Sequence, residues 1–189
     1  GLYVAAPPVR PAILLVHGLG VHPDHGVIGA LRASLADRGY ATLSLQMPVQ
    51  KSDAPADAYP PLFPLAADRI AAGRAWLAAK GHRRVVLLSH SLGARMADAY
   101  LARSGGGAIS AWVVLGIVGD FTALPNLSVP VLDVAGERDL PTVLAAGPKR
   151  RAAIARLPGS RQEILPGADH FYTGRESALA ALITGYLEQ

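Results

Sequence analysis

The five residues Ser89-His90-Ser91-Leu92-Gly93 follow a short apolar run, Val85 to Leu88, and lead directly into a helical pattern from Leu92 to Arg103. A serine at the apex of a strand-to-helix turn, with small residues two positions to either side, has the form of a nucleophile elbow. The turn is tight, so bulk two positions away would strike the neighbouring strand or helix. Ser89 stands where the usual G-x-S-x-G pattern has its first glycine. Serine is the next-smallest polar residue, so the departure is tolerable, but it leaves standing the simpler reading of a helix-capping Ser91. A helix starting at Leu92 aims its first N–H groups at any oxyanion formed beside Ser91.

A serine hydroxyl needs a base. Of the six histidines, His170 follows the last apolar run in Leu165-Pro166-Gly167-Ala168-Asp169-His170 and is the candidate. His82 precedes its run, at the wrong end. His90 adjoins Ser91 and is expected to point away from it. A carboxylate must orient the imidazole. Asp139, in Ala135-Gly136-Glu137-Arg138-Asp139, is preferred, and Asp120, in Gly119-Asp120, is the alternative. Glu137 is expected inside a turn, and Asp169 is too near its neighbour His170 to face it. The segment His17-Gly18-Leu19-Gly20 supplies a glycine-rich loop whose Leu19 amide can converge with that of Leu92 as an oxyanion hole, although the same residues would also make a plain turn.

His22-Pro23-Asp24-His25 follows that loop. Its spacing matches no common zinc motif and lacks a third ligand, so no metal is expected. His22, His25 and Gln46 are candidate substrate-binding residues, against the alternative of turn capping.

These residues need elements to hold them. Strands are expected at Ala12–Val16, Tyr40–Leu45, Val85–Leu88, Ala111–Val118, Val129–Ala135 and Gln162–Leu165. Helices are expected at Val27–Arg38, Leu65–Lys80, Leu92–Arg103, Thr142–Leu157 and Arg175–Leu187. Met47 to Pro64, with five prolines, reads as a loop. Alternating strands and helices give parallel, right-handed βαβ units. Continuous apolar strands fit a sheet covered on both faces, with the ligand site at the strands' carboxyl ends. No repeat or linker interrupts the chain, so one domain over residues 1–189 is expected.

Composition excludes other classes. Hydrophobic residues make up 51% and charged ones 17%, too apolar for a disordered chain. Cys is absent, which removes disulfides, thiol nucleophiles and thiolate metal sites. No apolar stretch reaches spanning length. The net charge of +4 raises the question of RNA, but fifteen of the eighteen cations are scattered arginines and aromatics are only 6%. A nucleic-acid footprint would be concentrated and aromatic-laced, so none is expected. The chain opens on Gly1 rather than Met, compatible with removal of an upstream signal peptide, which leaves periplasm and cytoplasm both open.

The loop motif, the elbow, the G-x-x-D of Gly136 to Asp139 and the G-A-D-H of Gly167 to His170 together resemble the α/β-hydrolase superfamily over nearly the whole chain. The triad order Ser91, Asp139, His170 is that of the superfamily. His22-Pro23-Asp24-His25 and Leu43-Ser44-Leu45-Gln46-Met47-Pro48 further resemble a poorly characterised family of bacterial α/β-hydrolases, often exported. The resemblance implies a three-layer fold, mostly parallel, and a serine esterase with no metal or organic cofactor. A monomer or homodimer acting on a small-molecule ester is expected. The short connection from Gly119 to Pro130 has no room for a lid domain. The cover left to the site is the Met47–Pro64 loop, with Tyr59, Leu62 and Phe63. A shallow, open site for small esters is therefore expected. The rival reading is a non-catalytic scaffold of the same fold that binds a ligand or partner protein.

Overall fold

A computed structural model describes all 189 residues. Seven strands form one sheet: β1 (Leu2–Val4), β2 (Ala12–Val16), β3 (Thr42–Leu45), β4 (Val85–His90), β5 (Ala111–Leu115), β6 (Val131–Arg138) and β7 (Arg161–Asp169). Five helices accompany them, the last after the final strand: α1 (Gly26–Asp37), α2 (Phe63–Ala79), α3 (Leu92–Ser104), α4 (Pro141–Ile154) and α5 (Glu176–Leu187). The sheet order is β1-β3-β2-β4-β5-β6-β7, antiparallel only where β1 meets β3.

The three layers follow from the two-residue period of the strands. In β2 all five residues are buried. Leu14 and Val16 point into a cluster with Ala66, Ile70 and Leu77 of α2 and Ala94, Ala97 and Leu101 of α3. Ile13 and Leu15 point the other way, onto Ile28, Leu31 and Leu35 of α1 and Leu179 and Ile183 of α5. Burying each such aliphatic side chain contributes about 1.5–3 kcal/mol. Gly73 lets α2 lie close to the sheet, since a Cβ there would come 3.0 Å from Leu45 and 3.1 Å from Leu14.

The elements differ from the sequence expectations where context overrides pattern. The three-residue β1, at the sheet edge, carries too little periodicity to read. Within the expected Met47–Pro64 loop, two 3-10 turns form at Ala56–Ala58 and Pro60–Leu62, and α2 already starts at Phe63. Pro64 is tolerated there because a first-turn N–H has no helical partner to lose. The fourth expected strand ends at Leu115 rather than Val118, because Gly116 turns the chain with φ +56°. β6 and β7 run past their expected ends, pairing Arg138 with Asp169 across a bulge after Gly136. That extension carries Asp139 and His170 out of the sheet side by side.

Candidate active site

The elbow is built by two close approaches. Ser91, between β4 and α3, has φ 55° and ψ −123°, a conformation a non-glycine residue adopts only under constraint. Its amide is tied to the Leu115 carbonyl at 2.9 Å. Two residues on, a Cβ at Gly93 would lie 2.2 Å from the carbonyl oxygen of His17, so α3 can start against the end of β2 only with glycine there. Two residues before, Ser89 is fully buried and its Oγ accepts the indole N–H of Trp112 at 2.9 Å. The serine that departs from the elbow pattern thus satisfies a donor that the core would otherwise strand.

The structure brings Ser91, His170 and Asp139 into one line. Ser91 Oγ lies 2.9 Å from His170 Nε2, and His170 Nδ1 lies 2.6 Å from Asp139 Oδ1. Asp139 also accepts the amides of Gly136 at 3.0 Å and Leu140 at 2.8 Å. Burial pushes its carboxyl pKa up, but the His170 bond and these amides outweigh burial and hold it below the ordinary aspartate value. The carboxylate therefore stays ionised and accepts the hydrogen bond of Nδ1–H, which leaves Nε2 free to accept from the Ser91 hydroxyl. Asp120 is elsewhere: its carboxylate pairs with Lys149 at 2.5 Å, 43% exposed.

His90 does not point away from the site, as its place in the sequence suggested. Its ring lines the same cavity as Ser91 and packs on His170, with centroids 5.1 Å apart. Its Nε2–H donates to the His170 carbonyl at 2.9 Å, fixing the backbone there. Burial lowers its pKa to about 4, so it is neutral near pH 7. Gly116 and Tyr172 support the same loop, and sequence reading passed over both. A Cβ at Gly116 would lie 3.0 Å from the His170 ring and 3.3 Å from Asp139 Oδ2. Tyr172, at φ 57°, donates its buried hydroxyl to the Val134 carbonyl at 2.9 Å. Glycine after a buried strand and a tyrosine two residues past His170 were the available signals.

Opposite Ser91, Gly18 brings the loop after β2 so near that a Cβ would meet Ser91 Cβ at 3.4 Å. The amides of Leu19 and Leu92 make no hydrogen bond within the protein. His17 orients the first of them. Its Nε2 accepts the Met47 N–H at 2.9 Å, so the proton sits on Nδ1 and is donated to the Gly18 carbonyl at 2.9 Å. In a trans peptide the N–H points opposite the carbonyl, so pinning the Gly18 oxygen turns the Leu19 N–H away from His17. Burial, first among the causes, lowers the pKa of His17 and favours this neutral form.

Of the three candidate substrate-binding residues only His25 lines the cavity. His22 is turned aside, its Nδ1 accepting the Asp24 amide at 3.3 Å, while Asp24 pairs with Arg32. Gln46 turns instead to His17 Nε2, at 3.2 Å, and donates to the Met47 carbonyl at 3.0 Å. The expected shallow site is also corrected. The cavity at Ser91 measures about 810 Å³, because the Met47–Pro64 segment forms a wall with Ala56, Asp57, Pro60 and Phe63. Tyr59, expected to cover the site, is instead buried beneath that segment and accepts the Gln50 amide at 3.2 Å. No group of three or more His, Asp or Glu side chains is placed to hold a metal ion.

No protein-family model matches the chain, and no curated protein matches its sequence. Its similarity to solved structures is extensive. A dienelactone hydrolase from Anabaena variabilis aligns with a TM-score of 0.80 and 24% identity over 98% of this chain and 89% of that one. An esterase from Rhodococcus aligns at 0.72 and 19%, over 99% and 94%. A monoacylglycerol lipase from Paleococcus ferrophilus aligns at 0.73 and 14%, over 98% of both. The chain has the α/β-hydrolase fold, with helices on both faces of a mostly parallel sheet. No helix is long and apolar enough to cross a membrane.

Proposed function

We propose that the protein is a serine hydrolase of carboxylic esters. The observation that carries this reading is the continuous hydrogen-bonded line from Ser91 Oγ through the His170 ring to Asp139, at 2.9 and 2.6 Å. His170 Nε2 takes the Ser91 proton as Oγ attacks the acyl carbon. The Leu19 and Leu92 amides receive the oxyanion. Asp139 holds the imidazole in the productive tautomer and offsets its positive charge. His170 then protonates the leaving alcohol oxygen, and water, deprotonated by the same nitrogen, cleaves the acyl-enzyme and releases the acid. The solved relatives named as esterase, lipase and dienelactone hydrolase support hydrolysis as the reaction class.

The test is covalent labelling with a fluorophosphonate. An activated hydroxyl takes up one phosphonyl group, located to Ser91 by peptide mass spectrometry. Ser91→Ala removes both labelling and turnover, and loss of a triad serine costs on the order of a million-fold in kcat. An unlabelled wild-type protein would indicate a ligand-binding scaffold.

A further inference from the structure

We propose that the cavity beside Ser91 holds the acyl chain of a medium-chain ester, roughly six to ten carbons long, rather than an acetyl group. The inference rests on the serine-hydrolase reading and adds the substrate class. A cavity of about 810 Å³ lies in the upper part of the roughly 300–1,000 Å³ range of ligand pockets. His170, Phe171 and Thr173 line its alcohol side, and an acetyl group would leave the side formed by α1 and α2 to water against apolar walls.

Those walls are Val21, Val27, Ile28, Phe63 and Leu92. Asp57, Arg95 and Glu176 also line the cavity, each of them partnered or in solvent. Arg95 Nη1 is held by Asp98 at 3.2 Å and by the Asp120 carbonyl at 2.6 Å. Glu176 accepts the Gly174 amide at 3.2 Å, and Asp57 lies exposed on the loop. The mouth is apolar too: Leu19, Val118, Leu140 and Phe171 line the cavity and remain 38–64% exposed. A chain entering past these side chains loses water at each step inward.

The acyl side of the ester is assigned by the chemistry. The alcohol leaves past His170, which protonates it, whereas the acyl group remains on Ser91 until water arrives. The Val21, Val27, Ile28 and Phe63 walls belong to the loop after β2, to α1 and to the start of α2, none of which carries the His170 loop. Each methylene buried from water is worth about 0.8 kcal/mol, close to fourfold in specificity constant.

The experiment measures kcat/KM for 4-nitrophenyl esters from acetate to palmitate, alongside acetates of lengthening alcohols. The expected result is a rise of at least about thirtyfold from acetate to octanoate, a fall by palmitate, and no comparable rise in the alcohol series. Val21→Phe, which narrows the half-buried wall, lowers the octanoate-to-acetate ratio about tenfold or more. A maximum at acetate, a rise confined to the alcohol series, or an unchanged ratio in the folded variant would overturn the assignment. Fluorophosphonates with ethyl and octyl chains separate the two readings. Failure of both to label removes the hydrolase itself, whereas equal labelling rates remove only the chain site.

Discussion

At Ser91 the backbone holds a conformation that costs on the order of 1–3 kcal/mol, and the Leu115 bond with the Gly93 and Gly18 approaches keeps it there. The carboxylate choice, open between two aspartates in the sequence, separates by contact. Asp139→Asn preserves shape but permits the wrong imidazole tautomer, and is expected to cost about ten-thousand-fold in kcat, the loss seen in a known triad. Asp120→Asn breaks only a surface pair with Lys149 and is expected to cost less than about tenfold. Ester hydrolysis by the two folded variants at neutral pH measures this, and the reverse ranking would move the acid. A second prediction concerns Ser89. Its replacement by glycine restores the common elbow pattern but leaves the Trp112 indole N–H without an acceptor. A stability loss of about 1–3 kcal/mol is expected in urea unfolding, with turnover per folded molecule retained.

Between elements, the decisive contact is the loop after β2 against the start of α3. His17 fixes that loop through two hydrogen bonds, Nδ1 donating to Gly18 and Nε2 accepting from Met47, the second of which needs the ring neutral. His17→Phe keeps a ring but releases the Gly18–Leu19 peptide. A drop in kcat of up to about a hundred- to a thousand-fold is expected, as for loss of one oxyanion donor, with KM little changed. A rise in KM at constant kcat would instead make His17 a substrate-binding residue. The strand and helix pattern that places this contact was legible because the buried strands are continuous and the helices end at glycine, as at Gly39 and Gly81. The course of Met47 to Pro64 was not legible. Its proline-rich sequence sets no period, and the side of the chain that forms the cavity wall depends on Tyr59 burying beneath it. The same limit applies to His22 and Gln46: loop residues near a motif in sequence turn toward whichever backbone groups need partners.

At the scale of the whole molecule, the site's support is a set of buried groups whose protonation the fold must resist. Motif spacing singled out Ser91, Asp139 and His170, which the fold brings within hydrogen-bond reach of one another, because the chemistry proposed for them demands fixed residue types. His90, Gly116 and Tyr172 act by filling or clearing space around His170, which no spacing encodes. His90 joins this support to stability. Burial holds its pKa at about 4, against an ordinary value near 6.5. Between those values the unfolded chain binds a proton that the folded protein refuses, so stability falls as pH falls from 6.5 toward 4. His17 is shifted in the same direction. Asp139, held below its ordinary value, adds a further loss only at lower pH still, as it too becomes protonated. At about 1.4 kcal/mol per pH unit, His90 alone accounts for on the order of 3 kcal/mol across its window. Urea unfolding at pH 7 and pH 4.5 is expected to show this loss in the wild-type protein. His90→Gln retains an N–H donor for the His170 carbonyl but carries no titrating ring. Whatever its stability at pH 7, its decline between the two pH values is expected to be smaller by about 2 kcal/mol, and equal declines would place the acid sensitivity in other groups.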